Sequence, residues 1–535
     1  MSRFVRASKY RHVFEQSGKK DQGFENVKVT GSAWDTNVIS ASAEYISINW
    51  NASGGGAFAI LPLPSPFVAH PSIPYKLPDS LPLARSHTAP VLDTEWSPHD
   101  DSLVASAGED GKVMIWKVSP DVFEGWGAEG WVPKDFDPVW RIDASPRKVG
   151  QVLFHPTAEN VLASASGEHL VKLWDLARTE DPQLVLSGHT DTIQSIAFSP
   201  TGTLLATTCR DRKLRLFDSR AGGDAIHVVD GHGGIKCARV TWMGDLGKVA
   251  TTGFSKMSER QVGIWDVGQG LANETTTALD QSAGIVMPFW SDNNILFLAG
   301  KGDGNIRYYE YESSSLYALS EYKTSNPQRG MCFLPRRALN ISECEIARAY
   351  KVHGSSIEPI AFIVPRKADS FQSDIYPPAP AKEPSLTAGE YFSGRGEVKR
   401  KLVSLDSGKT VTSSGGAGSI PTKTTSAPIP APASIASSFS QPASASTPTA
   451  PPMSVSKSYS QPESTPVRKE TTPPPLVRKD SASPAAKSAS PVEDPENSQL
   501  KAELREAREK IRNLELQLEA TKANAKKAAE ALLNV

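Results

Sequence analysis

The sequence predicts an all-β protein: a β-propeller of repeated four-stranded blades, followed by a polar linker and a terminal α-helical coiled coil. Three observations predict it. The first is a recurring unit in which a turn acid precedes an aromatic by six residues: Asp110 to Trp116, Asp211 to Phe217 and Asp303 to Tyr309, with Glu168 and Glu259 in the acid's place before Trp174-Asp175 and Trp265-Asp266. The second is spacing. Trp96 to Phe154 is 58 residues, Phe154 to Phe198 is 44 and Phe198 to Trp242 is 44, against a blade length of roughly 40–45, so one blade carries a long loop. The third is the division of the chain's composition. All 11 Trp fall between Trp34 and Trp290, whereas residues 406–495 hold 16 of the 41 Pro and only Phe439 and Tyr459 as aromatics. The first part has the apolar surface to build a core and the second does not.

The repeat itself is of the WD40 type, its cleanest copy being residues 188–218, GHTDTIQSIAFSPTGTLLATTCRDRKLRLFD. Its physics is a buried polar network inside an apolar blade, which is stable only when every member is satisfied. His189, Thr207, Asp211 and the strand carrying Phe217 are placed to form one such network. His87 with Asp110 and Trp116, Trp174, and His232 with Trp265 stand at equivalent phases. These histidines read as network members rather than metal ligands, because none has a Cys or a second His at ligand spacing. A ring of blades protects its strand edges and leaves rims and loops for partners.

Residues 406–493, rich in Ser, Pro, Thr and Ala without periodicity, are expected to be a disordered linker. Its Ser-Pro and Thr-Pro pairs at Thr447, Thr465, Thr472, Ser483 and Ser490 are candidate phosphorylation sites. The near-duplicate TPVRKET and PLVRKDS, starting at Thr465 and Pro475, reads as a pair of short linear motifs, candidates for a second filament, microtubule or nucleator contact. From Asp494, a candidate N-cap followed by Pro495, the pattern turns helical. Leu504, Ile511, Leu518, Ala525 and Leu532 fall at heptad position a, with Leu500, Ala507, Leu514, Thr521 and Ala528 at d. This predicts an oligomerising coiled coil over 494–535, in which Glu503 faces Arg508 and Lys510 faces Glu515 of a partner helix.

Net charge is −1, so no global field argues for nucleic acid or a membrane surface. Locally, residues 1–20 carry Arg3, Arg6, Lys9, Arg11, Lys19 and Lys20 against Glu15 alone, six cations less one anion, which suits an acidic protein surface. The four Cys form no C-x-x-C pair and favour a reducing compartment. No leader or spanning apolar run is present, so the protein reads as cytoplasmic. A catalytic reading finds no convergent groups. Gly408-Lys409-Thr410 lacks the upstream Gly of a phosphate loop, and neither G-x-S-x-G nor H-E-x-x-H occurs. No enzyme activity, cofactor or metal is expected.

Two longer stretches carry a family resemblance. Residues 8–35, SKYRHVFEQSGKKDQGFENVKVTGSAWD, resemble the opening of the coronins, actin-filament-binding WD40 proteins. Residues 329–352 and 360–378, RGMCFLPRRALNISECEIARAYKV and IAFIVPRKADSFQSDIYPP, are similar to the segment that finishes the propeller in that family. The resemblance implies a seven-bladed propeller over 1–365, in which residues 31–61 and 329–365 supply blades without recognisable repeats and the two ends of the domain meet to close the ring. It further implies a C-terminal extension, 366–405, packed along the propeller face with Phe371, Tyr376, Tyr391 and Phe392 as anchors. Function would then be binding and bundling of F-actin, with the coiled coil oligomerising the chain and the C-terminal region regulating the actin-nucleating actin-related-protein complex. The resemblance places the protein in the cortical actin cytoskeleton.

In the family a basic residue after the opening motif contacts the filament, and the matching position here is Lys28. Arg6, Lys9, Arg11, Lys19 and Lys20 are its neighbours as candidates, with Lys399, Arg400 and Lys401 a more distant cluster. The coiled coil departs from the family's Arg-apolar-x-x-apolar-Glu trimer pattern. It reads Lys510-Ile511-Arg512-Asn513-Leu514-Glu515, so a point charge replaces Arg's bidentate fork and homodimer and homotrimer both stay open. The other reading of the chain is a WD40 scaffold of another class, a ubiquitin-ligase substrate receptor or a trafficking scaffold, since fold does not fix function.

Overall fold

The second strand of nearly every repeat is a run of apolar and small residues, LVASAG at 103–108, VLASAS at 161–166 and ILFLAG at 295–300, and each is buried at every position. Strands enclosed on both faces need side chains small enough for the flanking blades to close on them. The computed structural model describes residues 6–412 apart from 54, 72, 127, 129, 368–369 and 395–397. Within them lie seven antiparallel propeller sheets. Blades 2 to 6 each take four consecutive strands. Blade 2, for example, uses Val91–Trp96, Leu103–Gly108, Lys112–Lys117 and Pro138–Asp143. The first strands of neighbouring blades pack on one another and form the inner wall of the ring.

Two blades without recognisable repeats complete the seven, and the first of them reaches beyond the expected residues 31–61. Blade 1 runs Ile39–Ala41, Tyr45–Trp50, Gly56–Pro62 and Leu83–His87. Blade 7 takes Gln328–Phe333, Glu345–His353 and Ser356–Ile363 from one end of the domain and Phe14–Ser17 from the other. The N-terminal strand pairs antiparallel from Phe14↔Ile363 to Ser17↔Ile360. The ring is therefore closed by backbone hydrogen bonds between segments more than 340 residues apart in sequence, with the N-terminal strand as the outer strand of blade 7.

Both mouths of the ring are crossed by chain that belongs to no blade. The turns between second and third strands share one end of the ring, here called upper, and the turns between first and second strands share the lower end. Across the upper mouth run residues 30–38. Thr36 Oγ1 donates to Leu92 O at 2.6 Å, Trp34 Nε1 to Gly150 O at 2.8 Å, Arg239 to Asp35 O at 2.9 Å, Lys301 Nζ to Trp34 O at 3.1 Å and Arg329 to Thr30 O at 2.6 Å. One short segment thereby braces blades 2, 3, 5, 6 and 7. A Cβ at Gly150 would stand 2.4 Å from Trp34 Cζ2, so only glycine admits the indole there.

The lower mouth is spanned by the described residues of 366–403. Arg336 donates to Pro377 O at 2.7 Å, Asn293 to Ile375 O at 2.6 Å, and Ser385 N–H to Thr157 O at 2.7 Å. Arg400 pairs with Asp245 and Asp292 of blades 5 and 6. A five-residue helix, Ala388–Phe392, begins with a capping box in which Thr387 and Glu390 satisfy each other's backbone N–H. It places Tyr391 fully buried against His155, with its hydroxyl 2.8 Å from Ser219 Oγ. Tyr376 is also buried, Phe371 stacks on it at 5.5 Å, and Phe392 packs beside Tyr391. Most of the linker and the whole predicted coiled coil, with Leu500, Leu504, Lys510, Ile511, Leu514, Glu515 and Leu518, lie outside the described residues.

Candidate functional site

Candidate site residues fall into two groups, one inside the blades and one on the N-terminal segment. Inside, the chain of hydrogen bonds is complete beside blade 2. His87 Nδ1 faces Asp110 at 3.0 Å, His87 Nε2 faces Ser106 Oγ at 2.8 Å, and Trp116 Nε1 donates to the same Oγ at 2.9 Å. The tautomer with the proton on Nδ1 satisfies every member: imidazole donates to carboxylate, hydroxyl donates to Nε2, and indole donates to hydroxyl. Blade 3 keeps only Trp174 on Ser164 Oγ at 2.9 Å, while blade 5 joins His232 and Trp265 to Thr251 Oγ1 at 2.9 and 2.7 Å.

Blade 4, whose sequence is the cleanest copy, is wired differently. His189 Nε2 meets Thr207 Oγ1 at 2.9 Å, but the Asp211 carboxylate turns to Arg215, with contacts of 3.0 and 2.6 Å, and His189 Nδ1 has no hydrogen-bond partner. Phe217 replaces the indole that donates in blades 2, 3 and 5, and Arg215, four residues beyond Asp211, competes for the acid as a bidentate donor. Although burial opposes it, the guanidinium holds Asp211 well below the usual carboxylate range. Burial and the nearby Arg215 push His189 down to about 4, so the ring is neutral. All these groups are internal to the sheets. Among the described residues no cluster of His, Cys, Asp and Glu is arranged to hold a metal ion, and no helix is long and apolar enough to cross a membrane.

The six N-terminal cations are not equivalent. Arg6 is consumed at the outer edge of blade 6: it contacts Glu310, pairs with Glu312 at 2.5 Å and lies 4.3 Å over the Tyr317 ring. Lys9 donates to the Asp374 carbonyl, and Arg11 is half-buried. Beyond the closing strand, residues 19–29 pass from blade 7 to blade 1: Phe24 pairs with Ile357, Val27 N–H bonds Ser355 O, and Asn51 N–H bonds Lys28 O. Lys19, Lys20 and Lys28 stand exposed along this strap. Lys20 pairs with Glu25 at 3.1 Å, and Lys28 reaches Asp79 at 3.4 Å with its side chain 42% exposed. Asp79, 86% exposed, comes from the long loop between the third and fourth strands of blade 1. In the distant cluster Arg400 is held by its two acids, and Lys401 lies 3.9 Å from Glu383.

Sequence reasoning missed the brace at the upper mouth. Trp34 and Asp35 end the stretch that carries the resemblance and Asn37 follows it, and their use as hydrogen-bond partners for Arg239 and Lys301 has no periodic signal. It also missed that Asp93 and Glu95 of blade 2's first strand face the enclosed interior. Burial, opposed by Val152 N–H and Arg239, raises Asp93 to about 7; burial and the neighbouring Asp93 raise Glu95 to about 8.

Known proteins match the chain in three ways. A family described as a domain of unknown function (DUF1899) covers residues 3–67, WD domain, G-beta repeats match residues 80–117 and 180–218, and a type of WD40 repeat matches 357–397. The chain is 50% identical over 401 residues to coronin-like protein crn1 of Schizosaccharomyces pombe, covering 74% of this chain and 63% of that one, so it spans less than two thirds of that relative's length. It is 44% identical over 411 residues to coronin-A of Dictyostelium discoideum, covering 76% of this chain and 87% of that one. The WD40 domain of Toxoplasma gondii coronin superposes with a TM-score of 0.66 at 30% identity, over 74% of this chain and 97% of that one.

Proposed function

The chain belongs to the coronin family, and we propose that it binds actin filaments through the basic strap that closes its propeller and regulates actin dynamics in the cytoplasm, at cortical actin structures. The observation that carries this reading is the exposed row Lys19, Lys20 and Lys28 on a segment held at both ends by the ring. A preorganised row of cations on a rigid support offers an acidic filament a contact whose ordering cost is already met. Lys28 is the central candidate because its one acidic neighbour, Asp79, is itself exposed and free to be displaced. Arg6 and Arg400 serve the propeller instead, since their guanidinium groups are engaged by acids of blades 5 and 6.

On this reading the propeller is 1–365, the extension 366–405, the linker 406–493 and the coiled coil 494–535. The coiled coil supplies avidity, bundling and contact with the actin-nucleating complex. Joining two or three weak propellers raises apparent affinity by roughly 10²–10⁴ without any new contact.

The test is co-sedimentation of the full chain with actin filaments at low and moderate salt, beside a Lys28→Glu variant and a truncation at residue 490. The expected outcome is that wild type pellets, that salt and Lys28→Glu each weaken it, and that the truncation binds more weakly and does not bundle. A Lys28→Glu chain that pellets like wild type removes Lys28 from the contact, and a truncation that bundles as well as the full chain removes the coiled coil from the mechanism.

A further inference from the structure

Blade 2's long loop builds an aromatic groove that none of the functions above uses. The described residues of 118–137, inserted between the third and fourth strands, fold against blade 1 at the lower end of the ring and extend a row of rings. The order is Trp96, Tyr45, Phe123, Trp126 and Trp131, with consecutive centroids 5.9, 5.8, 5.8 and 5.4 Å apart and planes within 26° of parallel. Two of these rings, Tyr45 and Phe123, line a cavity of about 620 Å³ between the blades. Tyr45 and Phe123 form its floor, Pro62 and Pro120 its apolar flanks, and Glu44 and Glu124 stand exposed on it. His70 also lines it, and burial lowers its pKa, so it adds no positive charge to oppose the two acids.

We propose that this groove binds a proline-rich segment of a partner protein, in polyproline II conformation and followed by basic residues. Three features select that chemistry. The apolar wall that Tyr45 and Phe123 form with Pro62 and Pro120 suits pyrrolidine rings, which arrive already ordered and so lose little entropy on docking. A site of this size falls within the range of ligand clefts and takes about one turn of a polyproline helix. The acids at its edge, Glu44 and Glu124, ask for Arg or Lys beside the prolines rather than for an acidic or neutral peptide.

The peptide TPPPLVRKD, residues 472–480 of this chain, has the required composition and serves as the probe. It is titrated, fluorescently labelled, into the full chain carrying Pro473→Ser, Pro474→Ser and Pro475→Ser, so that no second copy of the run is present in the sample. Saturable binding is expected. It should be lost when the three peptide prolines become alanine and weakened roughly tenfold by Glu44→Lys with Glu124→Lys, two exposed positions whose reversal leaves the core intact. No saturable binding into the millimolar range, equal binding of the alanine peptide, or indifference to the double reversal would each overturn the proposal.

Discussion

Arg6 and Lys28 are both N-terminal cations, yet the structure predicts opposite phenotypes for reversing them. In Arg6→Glu the reversed side chain faces Glu310, whose side chain is only 12% exposed, and Glu312, 53% exposed. Removing the guanidinium strands a largely buried carboxylate and removes the cation from the Tyr317 face. Partial exposure of Glu312 lets solvent screen some of the loss, which leaves a net cost of about 1–2 kcal/mol. Unfolding entropy near 2.1 cal/mol/K per residue over about 400 ordered residues gives close to 0.8 kcal/mol/K, so the melting temperature should fall by about 1–3 °C. Lys28→Glu meets only the exposed Asp79 and should leave the melting temperature unchanged, while filament affinity drops roughly tenfold or more. Differential scanning fluorimetry and co-sedimentation on the same preparations separate the two. If Arg6→Glu abolishes pelleting at an unchanged melting temperature, or if Lys28→Glu melts as early as Arg6→Glu, the division between ring-closing and filament-facing cations is wrong.

Tyr391→Ala should release the extension from the lower face, because it deletes a fully buried ring that touches His155 and bonds Ser219. A cost of about 3–5 kcal/mol is expected, against about 1–2 for Tyr391→Phe, which loses only the hydroxyl. Limited proteolysis within 381–403 reads the difference, and equal protection of the two variants would refute the anchoring role. Glu95 carries a pH prediction. Its folded value, raised to about 8, lies above that of an unfolded glutamate, so the fold favours the protonated form and stability is lost as pH rises from about 4.5 through 8. Glu95→Gln should therefore melt with wild type near pH 4 and later than wild type at pH 8.5. A constant difference at both pH values would mean that the carboxylate is hydrated inside the ring.

The fold was legible because a propeller repeats its physics. An acid six residues before an aromatic marks the turn and third strand of blades 2, 4 and 6, and an acid before Trp-Asp marks those of blades 3 and 5. Blades 1 and 7 carry no such signal. Tyr45–Trp50 and Glu345–His353 are buried at nearly every position without a network histidine, and only the family resemblance located them. Side-chain partners were harder. The sequence of 188–218 points to His189 with Asp211, but Arg215 on the adjacent strand captures the acid, a competition between two donors that spacing alone does not rank. The six N-terminal cations look equal along the chain, and three of them are sorted by tertiary partners more than 50 residues away: Glu310 and Glu312 for Arg6, Asp374 for Lys9 and Asp79 for Lys28. The long loop was visible as an excess of spacing between Trp96 and Phe154, but spacing alone did not show the stacked row that Phe123, Trp126 and Trp131 build there.

Those assignments restrict where a partner can dock. Propellers offer the mouths of the ring as binding sites, but here residues 30–38 brace the upper mouth through five blades and residues 366–403 span the lower one. A small ligand entering either mouth would have to displace hydrogen bonds of Trp34 or of Arg336 and Arg400. What stays free is the outer rim: the strap from Lys19 to Lys28 where blade 7 meets blade 1, and the aromatic groove between blades 1 and 2. They stand on either side of blade 1, with the strap on the blade-7 side and the groove on the blade-2 side. If both are used, occupancy of one need not exclude the other, and the Glu44→Lys, Glu124→Lys chain should still pellet with filaments as wild type does.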